Sequence, residues 1–474
     1  MNGGQHVSWR DYEGIDGFGM LSQEHVQDLN KALRAGQDIN APAVGAGVGF
    51  PLRVESLEAT LKVLSYRMEH VRFWKGVPKL PAFNTVEEYN LLKEYGAGQA
   101  AFIDEGDLPE EDDSTYERAT TLIKYLGTTR RVTHVMSLVR PAHGNVVAQE
   151  TMNGTLWLLR QLEKALFFGD AAIVPQHFDG LDKLLVAGAP AANTIDLRGK
   201  PLTPDTVEDA VGIVVADPNF GMPTDLYCAY GPYSDLAKQF YPKERYDLPA
   251  PKDGIVGIKV THFQSQAGPI AFQPDVFVPN GPRETAPVAG SGPAAKRPNA
   301  PTVVAAPPAH SNAASKFVAD DAGTYFYQVT AVNKSGESAP TRFPAAGTVT
   351  VAAGDRVSMT VGDGGQGTTG YKIYRTKKGG STAYYLRSIA RSGATQVLTD
   401  DNQDLPATSK AWLCQMNLEG LSFKQLAPFS RIPLSTIDTS LRWMQILYGS
   451  PTVYAPGKFV RVINVGRLAG TNES

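Results

Sequence analysis

Cysteine is nearly absent: the 474 residues contain two, Cys228 and Cys414. They form no CxxC pair and are too few for a disulfide framework, so both are expected to be buried thiols in a chain that folds in a reducing cytoplasm. Long hydrophobic runs are missing as well. None approaches the roughly 18 apolar residues of a membrane-spanning helix, and the best candidate, Ile39 to Leu52, is broken by Pro42, Gly45, Gly47, Gly49 and Pro51. The opening MNGGQHVSWRDYEG has no basic start followed by an apolar core, so no signal peptide is read there. Excess charge of one sign is lacking too. The balance of 45 basic against 48 acidic residues, net −3, excludes a global pull toward nucleic acid or anionic lipid.

Marks of catalysis are equally sparse. The 8 histidines form no HxH, HExxH or Cys/His cluster, so metal-ligand spacing is absent. Neither a GxSxG elbow nor a Walker A loop occurs. No catalytic residue, cofactor or metal is therefore assigned, and the chain is read as a non-enzyme. Gly362, Gly364 and Gly367 satisfy GxGxxG formally, but strand-like Tyr371–Thr376 follows where a dinucleotide site needs a helix, so a hairpin turn is expected. Asp400, Asn402 and Asp404 begin a calcium-loop spacing. Leu405 replaces the loop glycine and no closing Glu follows, so a turn is expected there too.

What is present is length for about three domains and 42% hydrophobic residues, too many for a disordered chain. The 46 glycines and 33 prolines exceed average usage. Residues 1–75 read as an N-terminal arm carrying helices, one over Ser22 to Gly36 and one behind Ser56 with Leu57, Leu61, Leu64, Met68 and Val71 on a stripe. In the 76–145 region, Thr85 and Glu88 have capping-box spacing for a helix. DEGDLPEEDD (104–113) holds seven acids in ten residues, and Tyr116–Leu126 with Arg130–Val139 predict a β-hairpin over 116–139, turning at Gly127-Thr128-Thr129. A two-stranded ribbon is marginal alone in water, so it is expected to pack on another subunit.

A long helix is predicted over Asn145–Phe168, with Met152, Leu156, Leu159, Leu162 and Leu166 as its core stripe and Gly169 as its cap. Residues 146–280 and 410–474 read as one α+β core. Within it Thr203-Pro204 starts a helix, Asp225–Ala229 is a strand, Tyr233–Phe240 a helix, and Gly254–Thr261 with Gly268–Phe277 a hairpin. Residues 281–309, rich in Pro, Gly and Ala, read as a linker. Short alternating runs over 310–406 predict an inserted β-sandwich.

In that order the features resemble the major capsid proteins of tailed bacteriophages, the Hong Kong 97 fold. YERATTLIKYLGTTRRVTHVMSLV (116–139) resembles the extended loop, and AQETMNGTLWLLRQLEKALFFGD (148–170) the spine helix. PLTPDTVEDAVGIVV (201–215), PTDLYCAYGPYSDLAKQF (223–240) and the closing LAPFSRIPLSTIDTSLRWMQILYGSPTVYAPGKFVRVINV (426–465) resemble peripheral and axial segments. In the insert, AGTYFYQVTAVNKSGES (322–338), GYKIYRT (370–376) and LTDDNQDLP (398–406) resemble an immunoglobulin-like or fibronectin type III module.

The resemblance implies a virion shell protein assembled in the bacterial host cytoplasm. Its copies would form hexamers and pentamers of an icosahedral or prolate shell around double-stranded DNA, with the insert on the outside. Implied partners are other copies of the chain, a portal protein, a separate scaffolding protein, a decoration protein and DNA held non-specifically on the inner face, with no membrane. The start at Met1 is read as an arm without maturation cleavage. The acidic run 104–113 is read as a solvated loop or, alternatively, as a charge partner between copies, with Glu105, Glu110, Glu111, Asp112 and Asp113 facing Arg130 and Arg131 at the hairpin tip of a neighbour. The family's autocatalytic crosslinking is not carried over, because no partner Asn or Glu can be matched to Lys124. Rival readings are an encapsulin-like compartment shell and a secreted carbohydrate-active enzyme with a fibronectin-like module.

Overall fold

The computed structural model describes residues 65–96, 102, 104–106, 108, 111–139, 144–240, 260–305, 312–365, 367–435 and 438–468. The elements below lie in the unit formed by Ser65–Leu138 and Val147–Ser474. The expected helices at Ser22 to Gly36 and at Ser56 to Leu64 fall outside the described residues. The end of the second stripe is not α-helical: Met68–His70 is a single 3-10 turn, and Val71 is extended and buried.

After α1 (Phe73–Gly76) and β1 (Lys79–Pro81), the chain enters β2 (Val86–Glu94), β3 (Thr115–Leu122) and β4 (Lys124–Thr133). The capping box at Thr85 does not form. Glu87, not Glu88, turns back, and its Oε1 accepts the backbone N–H of Phe83 and Asn84 at 2.6 and 2.9 Å. The predicted hairpin over 116–139 is also replaced. β3 pairs antiparallel with β2, from Val86↔Leu122 to Glu94↔Thr115, so the ribbon is β2–β3 and the acidic run lies between its strands. Gly127, Thr128 and Thr129 sit inside β4, held straight by ten register pairs to a C-terminal strand. Only Ile123, buried, separates β3 from β4, and it marks the place where the chain leaves the ribbon for a sheet. Val135 lies in α2 (His134–Leu138) rather than in a strand, and Val139 follows that helix.

α3 (Val146–Phe168) is 23 residues long, about 34 Å at 1.5 Å per residue. Its buried face is Leu158, Leu159, Leu162, Glu163, Leu166 and Phe167. Leu156 is half-buried, and Met152, placed in the core stripe by its spacing, is 58% exposed. Over the first turns Gln445 Nε2 donates to Thr151 O at 2.7 Å. Gly154 lets that amide approach: a Cβ there would stand 2.1 Å from Gln445 Oε1. At the other end Gly169 is needed for closeness rather than for a left-handed backbone, since its Cβ would meet Phe178 O at 2.4 Å.

α4 (Leu181–Gly188) and β5 (Thr194–Asp196) lead to α5 (Pro204–Val215), whose Thr203 Oγ1 accepts Thr206 N–H at 3.1 Å as the Thr-Pro start implies. β6 (Asp225–Cys228) and α6 (Tyr230–Phe240) follow, then the antiparallel pair β7 (His262–Ser265) and β8 (Gly268–Pro274); of the first hairpin strand expected over Gly254–Thr261, residues 254–259 lie outside the described residues, and the strand that pairs with β8 begins only at His262.

The 281–309 stretch is not a free linker. It makes a turn at Gly281–Arg283, bridges Thr285 to Tyr384 and Ser291 to Glu337, and supplies β9 (Thr302–Ala305). Its prolines hide the strand from periodicity, while its backbone bonds belong to the insert. The insert continues through β10 (Gly323–Tyr325), β11 (Tyr327–Asn333), β12 (Gly336–Glu337), β13 (Thr341–Phe343), β14 (Val349–Val351), β15 (Val357–Gly362), β16 (Gly370–Thr376), β17 (Ala383–Ala390) and β18 (Thr395–Asp400). A sheet of β12-β11-β16-β17, with β13 on β11, faces a sheet of β18-β15-β9 across Tyr327, Val329, Ile373, Val357, Met359 and Leu398. Of the GxGxxG glycines, Gly362 ends β15 while Gly364 and Gly367 lie between β15 and β16, which belong to different sheets, so the segment is a crossing between layers rather than a hairpin turn.

β19 (Ser409–Cys414), β20 (Leu421–Pro433), β21 (Ser440–Val453) and β22 (Val460–Val465) return to the framework. They complete two sheets, β1-β20-β21-β4 and β5-β22-β19-β6-β8-β7. One face of the second sheet packs on α5 and α6 through Val211, Val214, Leu236, Leu413 and Val462. α3 and α4 bury Leu162, Leu166 and Leu185 with Trp412, Phe423, Leu447 and Phe459. Both cysteines are free and buried in these cores, and burial pushes the Cys228 thiol up to about 12.

Candidate functional site

The ribbon has two unlike faces because successive strand residues alternate sides. Tyr89 and Thr121 turn inward: Tyr89 meets Tyr454 edge-on at 5.0 Å, and Thr121 Oγ1 lies 3.2 Å from Thr452 Oγ1. The outward face carries the cross-strand apolar pairs Val86–Leu122 and Leu92–Tyr116, with Arg118 bridged to Glu88 at 3.3 Å between them. All four apolar side chains are exposed, Tyr116 by 71%; beyond them Tyr95, Phe102 and Leu108 are more exposed still. Glu105, Glu111, Asp112 and Asp113 are exposed on the segment joining the strands, and Glu110 lies outside the described residues.

Arg130 and Arg131 are not at a hairpin tip. They sit in β4 opposite Trp443 and Arg442 of β21. Arg130 turns toward α3, with Nη1 3.6 Å from Glu150 Oε2, and Arg131 lies on the surface, 57% exposed and 3.7 Å from Asp438. The error follows from the misplaced turn: an arginine pair read as a loop tip is in fact mid-strand. Of the stripe expected in α3, Leu159, Leu162 and Leu166 are buried together.

Sequence reasoning missed two buried charge centres. The first is Glu163, fully buried on α3. Its Oε1 accepts the N–H of Arg72 and Phe73 at 2.9 and 2.7 Å, and its Oε2 accepts that of Trp74 at 3.0 Å. Asp275, also buried, lies beside it. Burial, then the second carboxyl, holds Glu163 far above the ordinary carboxyl range, and burial raises Asp275 likewise. A signal was present, because position 163 falls in the stripe of Leu159, Leu162 and Leu166.

The second centre is Arg375, buried in the sandwich. Nη1 donates to Asp400 Oδ2 at 2.5 Å and Nη2 to Asn402 Oδ1 at 2.6 Å, while Tyr327 Oη donates to Asp400 at 2.9 Å. Phe317 and Tyr325 rings lie 5.2 Å from the guanidinium. Burial would lower the Arg375 pKa, but Asp400 raises it above the ordinary value. The residues with calcium-loop spacing thus receive an arginine. Among the described residues no group of three or more His, Cys, Asp or Glu side chains is arranged to hold a metal.

The sandwich is clamped to the framework beside this centre. Arg198 donates to Asn402 O at 2.6 Å and to Asp321 Oδ2 at 3.1 Å, Lys316 donates to Asp196 at 3.2 Å, and Asn464 joins Asp196 to Leu405. Where the chain enters and leaves the insert, Gly281 N–H donates to Ser409 Oγ at 3.0 Å, so the two crossings run side by side.

No family model matches the chain. Over 462 aligned residues it is 25% identical to the major capsid protein of Staphylococcus phage S25-3, covering 94% of this chain and 96% of that one. The same figures hold for the major capsid protein of Staphylococcus phage K. Among solved structures, the capsid of a native GTA particle aligns over 90% of this chain and 99% of its own, at 9% identity and a TM-score of 0.48. The order found here is ribbon, long helix and two mixed sheets, with the ribbon formed by β2 and β3 rather than over the 116–139 stretch that the Hong Kong 97 resemblance implied. Along almost its whole length, then, the α+β chain is similar to the major capsid proteins of staphylococcal phages.

Proposed function

We propose that copies of this chain close into hexamers and pentamers of an icosahedral or prolate Hong Kong 97-type shell, with the outward face of the β2–β3 ribbon seated on a neighbouring copy. The observation that carries this reading is the uncovered pair of apolar contacts, Val86–Leu122 and Leu92–Tyr116, on a ribbon whose other face is occupied. A two-stranded ribbon gains little stability by itself in water, and burying these side chains between copies contributes about 25 cal/mol per Å² at every repeat of the contact. The acidic segment with Glu105, Glu110, Glu111, Asp112 and Asp113 would meet basic surface on that neighbour. Arg131, exposed beside Asp438, fits that role, whereas Arg130 is engaged with Glu150.

On this reading the shell encloses double-stranded DNA without base contacts. A portal protein and a separate scaffolding protein complete assembly in the host cytoplasm, with the outer surface open to a decoration protein. The sandwich, an immunoglobulin-like or fibronectin type III-like module, would stand on the outer surface. Negative-stain microscopy of the purified chain tests the proposal. Closed shells are expected from the full chain and none from a chain carrying Tyr116→Asp and Leu122→Asp; shells from the double variant would overturn the ribbon's role.

A further inference from the structure

Residues 66–79 form a strap across α3. Tyr66 Oη donates to Leu156 O at 3.0 Å and meets Phe277 edge-on at 5.6 Å. Phe73 packs on Phe167 and Tyr227, and Trp74 meets Phe423 edge-on at 4.8 Å. In the middle of this apolar seam, three consecutive strap N–H groups, of Arg72, Phe73 and Trp74, donate to the Glu163 carboxyl. Asp275, just after β8, accepts Phe277 N–H on Oδ1 at 2.7 Å, and its buried Oδ2 meets no donor. Two buried carboxyls therefore lie beside one another, each feeling the other's charge. A single proton between them supplies the missing donor and removes one of the two charges.

We propose that Glu163 and Asp275 form a one-proton latch, which holds strap 66–79 on α3 and frees it as the solution becomes alkaline. With the strap closed, the pair keeps a proton that two hydrated carboxyls of the open strap would release, so opening is linked to proton loss. The other ionisable groups facing the pair do not neutralise it. Tyr227 and Asp225 approach from β6, with Tyr227 held in its neutral form by burial. Lys79, on the strap, is spent on Trp74 O and is itself lowered by burial. His70, Lys164, Tyr230, Arg283 and Glu284 line the cavity beside Asp275.

Amide hydrogen exchange on the full chain tests the latch, comparing protection over 66–77 with protection over α5 at about pH 6 and about pH 9.5. Opening of the strap is expected to become easier by about tenfold per pH unit above the ordinary carboxyl range, relative to α5. Asp275→Asn, whose amide can donate to Glu163 while its oxygen still accepts from Phe277, should hold the strap with no pH slope. Glu163→Gln should likewise flatten the slope. Equal wild-type protection at both pH values, or the same slope in a variant without the shared proton, would overturn the proposal. The wild-type profile decides by itself if the variants fold poorly.

Discussion

The ribbon and the sandwich both rest against the packed framework, yet they are built oppositely. The sandwich closes on itself: two sheets enclose Tyr327, Val329, Met359 and Ile373, and a buried Arg375–Asp400 pair pins one end. The ribbon has only one sheet layer. Its inward face leans on β21, and its outward face shows apolar side chains to water. A self-sufficient core needs nothing further to cover it, whereas the unfinished layer is the element that, on the reading proposed above, a neighbouring copy completes.

That contrast breaks most sharply at the ribbon. Tyr116→Asp with Leu122→Asp should abolish particles, because each contact recurs throughout a closed shell and each charge would be buried without a partner. The same change should leave the isolated chain within about 0.5 kcal/mol of its original stability, since both side chains are exposed there; thermal unfolding of the unassembled chain checks this. Next in size is Arg375→Met. It leaves Asp400 buried without its cation and should cost about 3–5 kcal/mol, read as lost exchange protection over β11 and β16. Shell formation should persist.

Replacing residues 284–406 by a short Gly/Ser splice sharpens the comparison further. Gly281 and Ser409 already touch, so particle yield should stay near that of the full chain. A chain that no longer forms particles would make the sandwich an assembly element. Smaller still, Gly154→Ala should cost about 1–3 kcal/mol by overpacking against Gln445; Gln445→Ala in the same chain should recover part of it, measured by chemical denaturation.

The smallest effect expected is on the clamp, and it depends on pH. Burial would raise Asp196, but Asn464, the Arg198 N–H and Lys316 hold it below the ordinary carboxyl value. A depressed folded value stabilises above the unfolded one and is lost as pH falls through the folded one. Exchange over 312–321 should therefore speed up in acid, opposite in sign to the strap's response.

What the sequence made legible followed from how completely each element is buried. α3, α5 and the sandwich strands have one wet and one dry face, so their periods show. The ribbon has no dry core to set a pattern. VEEYNLLKE therefore resembled a helix start, and the glycine inside β4 resembled a turn. Gly127 is instead in close contact with the β21 backbone, its would-be Cβ 3.2 Å from Gln445 O. Met152 falls on the stripe by spacing yet is exposed, because spacing reports a stripe but not where its cover ends. Glu163, Asp275 and Arg375 stayed hidden because their partners lie far off in the chain, and proximity of that kind leaves no mark on spacing.

Sedimentation velocity on the full chain and on its Tyr116→Asp, Leu122→Asp counterpart tests the central claim most directly. The account predicts shell-sized particles from the first and single folded chains, with an intact sandwich, from the second. Shell-sized particles from both would contradict it.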